Sequence, residues 1–148
     1  MDSQSLFNHV AAKFADAATD YTTEGTKDPY FKVKPDRWVE VATFLRDDPE
    51  LRLDFLQNVT AVDWIKQARI DMVYHLYSYS KKHSAVVKIE LPRDAAKVPS
   101  VAGVWSAADW NEREQFDLLG VEFLGHPDLR RILMPDDWPG HPMRKDYK

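Results

Sequence analysis

The sequence contains no cysteine. Disulfides, thiolate nucleophiles, thiolate zinc sites and the ordinary ligands of iron–sulfur clusters are therefore excluded together. Glycine is scarce, with five in 148 residues, and none belongs to a G-x-G-x-x-G fingerprint or a P-loop. No backbone cradle for a dinucleotide, flavin or nucleotide phosphate is recognisable. Basic residues are in deficit: 20 Lys and Arg face 24 Asp and Glu, and the net charge of -4 has the wrong sign for tracking nucleic acid. Apolar runs are short, so no stretch of about 18 residues is available to span a bilayer. The start, Met1-Asp2-Ser3-Gln4-Ser5, has no basic region, and Asn8, His9, Lys13 and Asp16 interrupt the apolar positions behind it, so no secretory leader is expected.

What remains is apolar material for one core, 44% of 148 residues. Leu6, Val10 and Phe14 lie four apart with Phe7 and Ala11 beside them, which predicts an amphipathic helix over residues 5–18, capped by Ser3 or Ser5. Residues 19–29 are polar and contain Gly25, hence a loop, and residues 30–33 form a short apolar strand. Pro35 suits a first helical turn, and Trp38, Val41, Ala42 and Leu45 follow at i, i+3, i+4 and i+7 until Asp47-Asp48-Pro49 stops a second helix. From residue 51 to 65 the chain reads as short β-branched and aromatic runs. Residues 71–79 are apolar on both faces, as in a central strand, and residues 84–91 alternate cleanly, with Lys88 and Glu90 outward, as in a strand covered on one side. The expectation is an α+β fold: a mixed or antiparallel sheet with helices packed on one face, over residues 1–124, followed by an irregular extended arm over residues 125–148.

A short helix over residues 110–119 is expected just before that arm, with Asp109 as N-cap, Glu112 in a capping box and Gly120 as the left-handed stop. Every face of it mixes charge with bulk, so packing on more than one side requires its ions to be paired. The pairings expected are Arg113 with Asp117, and Glu112 or Glu114 with Arg130 or Arg131. The arm holds four prolines and the echo Gly125-His126-Pro127 and Gly140-His141-Pro142, which rules out a helix or central strand there. Its Leu129, Ile132, Leu133, Met134, Trp138, Met143 and Tyr147 carry too much apolar surface for a solvated tail. It is either a docking arm for a partner, with Arg130, Arg131, Arg144 and Lys145 offered to carboxylates, or a strap over its own core.

Catalytic signals are thin. His126, Asp128, Asp136, Asp137 and His141 are possible zinc or manganese ligands, but both histidines precede proline and no helix presents two on one face. There is no G-x-S-x-G elbow. The carboxylate pairs Glu112/Glu114 and Asp136/Asp137 lie at a helix start and in a turn, weak settings for acid/base work. His75 is expected as a satisfied core histidine, and Trp38, Trp64 and Trp105 as core.

The runs Trp110-Asn111-Glu112-Arg113-Glu114, Phe116-Asp117-Leu118-Leu119-Gly120-Val121, Gly125-His126-Pro127-Asp128-Leu129-Arg130-Arg131-Ile132-Leu133-Met134-Pro135-Asp136-Asp137-Trp138 and Gly140-His141-Pro142-Met143-Arg144-Lys145-Asp146-Tyr147 carry a resemblance. Together they resemble the signature of the C subunit (30 kDa-type) family of NADH:quinone oxidoreductase, respiratory complex I, over most of residues 105–147. Met143 stands where that family commonly has leucine. The resemblance implies a non-catalytic structural subunit of the hydrophilic arm, supporting electron transfer from NADH to quinone by assembly alone. It further implies no cofactor bound by this chain and no active site of its own. The implied partners are the large quinone-site subunit, the cluster-bearing subunit and other hydrophilic-arm subunits. Membrane association would come only through the complex, on the cytoplasmic face of a bacterial membrane. Carried over residue by residue, Glu112, Arg113, Glu114, Asp117 and Gly120 match the family's helix, and His126, Arg130, Arg131, Arg144, Lys145 and Asp146 match its arm. Two other readings stay open: the equivalent subunit of a membrane-bound hydrogenase, and a metal-dependent hydrolase using His126, Asp128 and His141.

Overall fold

In the computed structural model, which describes residues 1–147, the chain opens with helix α1 (Ser3–Lys13). Asp2, rather than either serine, caps it by accepting the Ser5 N–H at 2.8 Å. Strand β1 (Ala18–Thr22) and strand β2 (Tyr30–Val33) pair antiparallel, so part of the expected polar loop is an edge strand. Only Ala18 of β1 is buried, and its ladder comes from β2 rather than from any alternation of its own. A single 3-10 turn at Pro35–Arg37 leads into α2 (Trp38–Asp47), whose Trp38, Val41, Ala42 and Leu45 are all buried as their spacing required.

Three ten-residue strands follow: β3 (Phe55–Trp64), β4 (Arg69–Ser78) and β5 (His83–Pro92), joined as an antiparallel meander. A parallel β2–β5 pairing completes a five-stranded mixed sheet in the order β1-β2-β5-β4-β3. The core-facing row of β5, Ala85, Val87, Ile89 and Leu91, packs with Leu6 and Val10 of α1 and with the buried face of α2. Its opposite row carries Lys88 and Glu90, the latter paired with Lys32 at 2.7 Å. The chain then forms β6 (Lys97–Pro99), α3 (Ala108–Leu119) and β7 (Glu122–Leu124), with β6 and β7 pairing in parallel. A helix between two parallel strands is the crossover such pairing needs. Strands of three residues are too short to show a period, and neither is among the elements expected from the sequence.

The tryptophans divide. Trp38 and Trp105 are buried, and Trp105 donates its indole N–H to the Leu53 carbonyl at 2.9 Å, whereas Trp64 is 41% exposed at the end of β3, contrary to expectation. Its ring has the Arg69 guanidinium at 5.7 Å instead of a core around it. His75 is likewise not the satisfied core histidine expected, since it faces the open side of the sheet with its Nδ1 buried and unpartnered among the described residues. The Trp38 and Tyr74 rings meet at 4.7 Å, yet neither the indole N–H nor the hydroxyl makes a hydrogen bond among the described residues. Burial pushes the Tyr74 hydroxyl well above its ordinary pKa. An unpaired buried hydroxyl is a cost, so Tyr74→Phe should leave stability unchanged or raise it by about 1 kcal/mol in urea unfolding. A loss above about 2 kcal/mol would show that the hydroxyl is bonded.

Candidate functional site

Helix α3 is packed on several sides, and its buried polar residues show how. It begins at Ala108 after Ala107, which offers no side-chain cap, so Asp109 lies in the first turn and is not the N-cap expected. Glu112 makes no capping box and pairs with neither Arg130 nor Arg131. It is fully buried and turned back onto the preceding loop, accepting from Ser100 Oγ at 2.6 Å and from the Val101 N–H at 2.8 Å. Burial raises its pKa, and those two bonds offset the rise only in part. Gln115 turns to the sheet, where its Oε1 accepts the Ala61 N–H of edge strand β3 at 3.0 Å. That bond satisfies a backbone donor which would otherwise invite another strand.

Asp117 faces the arm. Its buried carboxylate accepts from Arg131 Nε at 2.5 Å and from three successive backbone N–H groups, Ile132 at 3.1 Å, Leu133 at 2.6 Å and Met134 at 2.9 Å. Its main-chain carbonyl takes Arg131 Nη2 at 3.0 Å and His141 Nδ1 at 2.9 Å. Arg131 also donates to the Trp138 carbonyl at 2.6 Å and the Gly140 carbonyl at 2.8 Å. The expected Arg113–Asp117 pair is therefore replaced by Arg131–Asp117. Arg113 instead donates to the Arg130 carbonyl at 3.2 Å and stands 5.3 Å from the Trp110 ring, and Arg130 pairs with Asp128 at 2.9 Å. Spacing along one helix favoured i, i+4, but the arm brings a planar fork and a run of donors that no helical neighbour matches. Burial works against ionisation of Asp117, yet Arg131 and the three N–H groups prevail and hold its carboxyl below the usual range.

Gly120 ends α3 with φ +75°, as its position predicted, and a Cβ there would lie 2.6 Å from His141 Cδ2. The arm's last described residues are tied to the sheet. Met143 N–H reaches the Leu118 carbonyl at 2.9 Å, and Arg144 donates to the carbonyls of Leu119 at 2.7 Å and Arg93 at 3.2 Å. Asp63 on β3 accepts Arg93 at 2.6 and 2.9 Å and the Lys145 N–H at 2.8 Å, while Arg93 also reaches Asp146 at 2.8 Å. Arg93 holds the Asp63 and Asp146 carboxyls below their usual range. Neither Asp63 nor Arg93 is among the candidate site residues expected from the sequence. The one signal they offered was a carboxylate at an inward position of an alternating strand. Lys148 lies outside the described residues.

The remaining motif residues separate. Glu114 is half-buried and enters no ion pair among the described residues. His126 has a fully buried ring: its Nδ1 accepts the Asp128 N–H at 2.9 Å, and its Nε2 meets the carbonyl and carboxylate of Asp109, both at 3.1 Å. With His141 held by Asp117, the two arm histidines serve separate turns, and they do not converge with Asp128, Asp136 or Asp137 as metal ligands. Among the described residues, the group with ligand spacing is His9, Asp48 and Glu50. Outward from this framework stand Leu133 at 54% exposure, Trp138 at 41%, Met143 at 60% and Trp110 at 57%.

Residues 31–148 match the family model described as "Respiratory-chain NADH dehydrogenase, 30 Kd subunit". The chain belongs to that family. It is 43% identical over 147 residues to the C subunit of NADH-quinone oxidoreductase from Roseiflexus sp. (strain RS-1), covering 99% of this chain and 84% of the relative. It is 42% identical over 146 residues to the C subunit from Chlorobium phaeobacteroides, covering 97% and 87%. Among solved structures it is similar to a chain of the membrane-bound sulfane sulfur reductase, an archaeal respiratory membrane complex, with TM-score 0.78, 28% identity and coverage of 98% and 85%. It also shares its fold with the trypsin-resistant fragment (1-134) of Nqo5, with TM-score 0.70, 22% identity and coverage of 85% and 98%. As a member of this family, the chain is a subunit of NADH-quinone oxidoreductase, a multi-subunit membrane-associated complex. No helix among the described residues is long and apolar enough to cross a membrane.

Asp117→Asn should cost about 3–5 kcal/mol, because it strands Arg131 and turns an amide toward backbone donors, and hydrogen exchange should show residues 131–147 losing protection first. Glu112→Gln should stay within about 1 kcal/mol of wild type at pH 7, since an amide still serves both partners, whereas Glu112→Ala should cost about 2–4 kcal/mol in the same unfolding assay. The pH dependence has opposite signs at these carboxylates. Asp63 and Asp117 contribute stability that is complete above the ordinary carboxylate range near about pH 4 and is lost as pH falls through their lowered folded values. Glu112 contributes below its ordinary value and loses that contribution as pH rises through its raised one. In wild type, acid should therefore release the arm while α3 stays docked, read as loss of hydrogen-exchange protection over residues 131–147 before global unfolding.

Proposed function

We propose that the chain acts within NADH-quinone oxidoreductase as an architectural subunit with no active site of its own, and that α3 with the arm docks it on the large quinone-site subunit. The observation that carries this reading is the arm's two-sidedness. Arg131 and Arg144 are spent inward on Asp117 and on the carbonyls of Leu119 and Arg93, while Leu133, Trp138 and Met143 face out among the exposed charges of Asp128, Arg130, Asp136 and Asp137. A stiff segment with aromatic and aliphatic anchors exposed, and its backbone already bonded, is suited to forming an interface core. The cluster-bearing subunit and other hydrophilic-arm subunits are its further neighbours in this proposal. It binds no cofactor itself, in keeping with a chain lacking cysteine and phosphate-cradling glycines. It reaches the cytoplasmic face of the membrane only through the complex.

The similarity to the sulfane sulfur reductase chain says that this fold also serves another membrane-bound assembly. Identity of 43% to a C-subunit relative, against 28% to that chain, favours the NADH-quinone reading over a hydrogenase-type one. The test is assembly. Leu133→Ser with Met143→Ser, both at exposed positions, should leave the isolated chain's melting temperature within a few degrees, about 1 kcal/mol, yet reduce its co-purification with the large subunit at least about fivefold. Quinone reductase activity per assembled complex should be unchanged. Normal assembly of the double variant would overturn the docking role, and normal assembly with slowed turnover would overturn the architectural one.

A further inference from the structure

A second surface lies away from the arm, between α1 and α2. It is a groove of about 670 Å³, floored by Phe14, Val39 and Phe44 and rimmed by Glu40, Asp47 and Asp48. Val39 is 43% exposed on the solvent side of α2, where a helix of this composition would ordinarily carry a polar residue. The aromatic floor already seats cations of the chain itself. Lys13 Nζ stands 4.8 Å from the Phe44 ring centre and 5.7 Å from that of Phe14, and the Arg37 guanidinium lies 5.8 Å from Phe14.

Charge around the groove is unbalanced. Asp16 and Glu40 share the single Arg37, at 2.9 and 3.2 Å, and Asp48 and Glu50 share the single His9 ring, at 3.0 and 3.3 Å. Asp47 has Arg46 at 2.7 Å. Five carboxylates thus face three permanent cations, Lys13, Arg37 and Arg46, and the carboxylates of Asp16, Glu40, Asp47 and Glu50 are each more than half exposed. Arg37 and His9 are each divided between two acids, so a further cation gains attraction without displacing a complete pair.

We propose that this groove docks a lysine- or arginine-bearing amphipathic helix of a neighbouring subunit. The complementarity is twofold: an apolar ridge over Val39 and the half-buried Phe44, and basic side chains against the rim carboxylates of Glu40, Asp47 and Asp48. A second copy of this chain does not fit, because each of its helices carries one basic residue at most or has its surface engaged by the arm. α1 has Lys13, α2 has Arg46, and α3 has Arg113 lying on Trp110. An anionic lipid surface is repelled by the same carboxylates. The inference relies on the proposed function only for the presence of neighbouring subunits.

The test uses the full chain, isotopically labelled, titrated with a synthetic amphipathic helix of leucine and lysine, and with its leucine and glutamate counterpart as control. The basic helix should shift resonances of Phe14, Val39, Thr43 and Phe44, and its affinity should fall about tenfold or more from low to high salt. Val39→Lys, a change on an exposed face, should weaken binding at least about tenfold while the spectrum stays folded. The Leu133→Ser, Met143→Ser chain should bind it as wild type does, which separates failure here from failure of the arm's role. Absent shifts at the groove, equal binding of the acidic helix, or concentration-dependent self-association through the same residues would each overturn the proposal.

Discussion

One carboxylate organises the C-terminal third of this protein. Asp117 leaves α3 at a point where the helix has no more turns to offer, and it meets a segment whose prolines deny it helix and sheet alike. Such a segment still carries backbone donors that must be satisfied. Three of them converge on Asp117, and Arg131 neutralises the charge that draws them there. The arm's path over α3, the placement of His141 against Gly120 and the outward aim of Leu133 all depend on that arrangement. The Asp63–Arg93–Asp146 cluster performs the same office at the arm's far end, from the sheet instead of the helix.

The legibility of the fold followed the length of each repeating pattern. Helix α2 and strand β5 carry complete periods, and their buried faces are those the spacing predicted. β1, β6 and β7 are too short or too polar to show one, and each owes its strand character to the strand it pairs with. At the site, the sequence identified the charged helix and the arm, and it required the helix's buried ions to be paired. It misassigned the pairs, because i, i+4 spacing describes one helix and says nothing of a chain crossing over it. Asp117 found its partner fourteen residues on, in Arg131, and Glu112 found its own eleven and twelve residues back. The arm's resemblance to its family pointed to the assignment, and the likeness to a C-subunit relative, at 43% identity, runs over 99% of the chain.

Helix α3 is where the two halves of the molecule are joined. Glu112 fixes it to the loop after β6, Gln115 to the edge of the main sheet, and Asp117 to the arm. Each of these buried polar groups faces a different structure, which explains a helix without an apolar side. Apolar burial alone would hold such a helix loosely in rotation. Directional bonds on three sides fix its azimuth, and with it the bearing of everything the arm displays.

Arg131 has a consequence for the kinetics of assembly. Its donors are consumed by Asp117, Trp138 and Gly140, so the turn is closed before any neighbour arrives. A partner therefore meets a rigid template and not a chain that must fold on contact. Encounter is governed by orientation rather than by ordering, and the heat-capacity change of association reflects only the surface that is covered. In a machine built from many subunits, a turn closed by bonds within its own chain keeps its shape whether or not a neighbour is present.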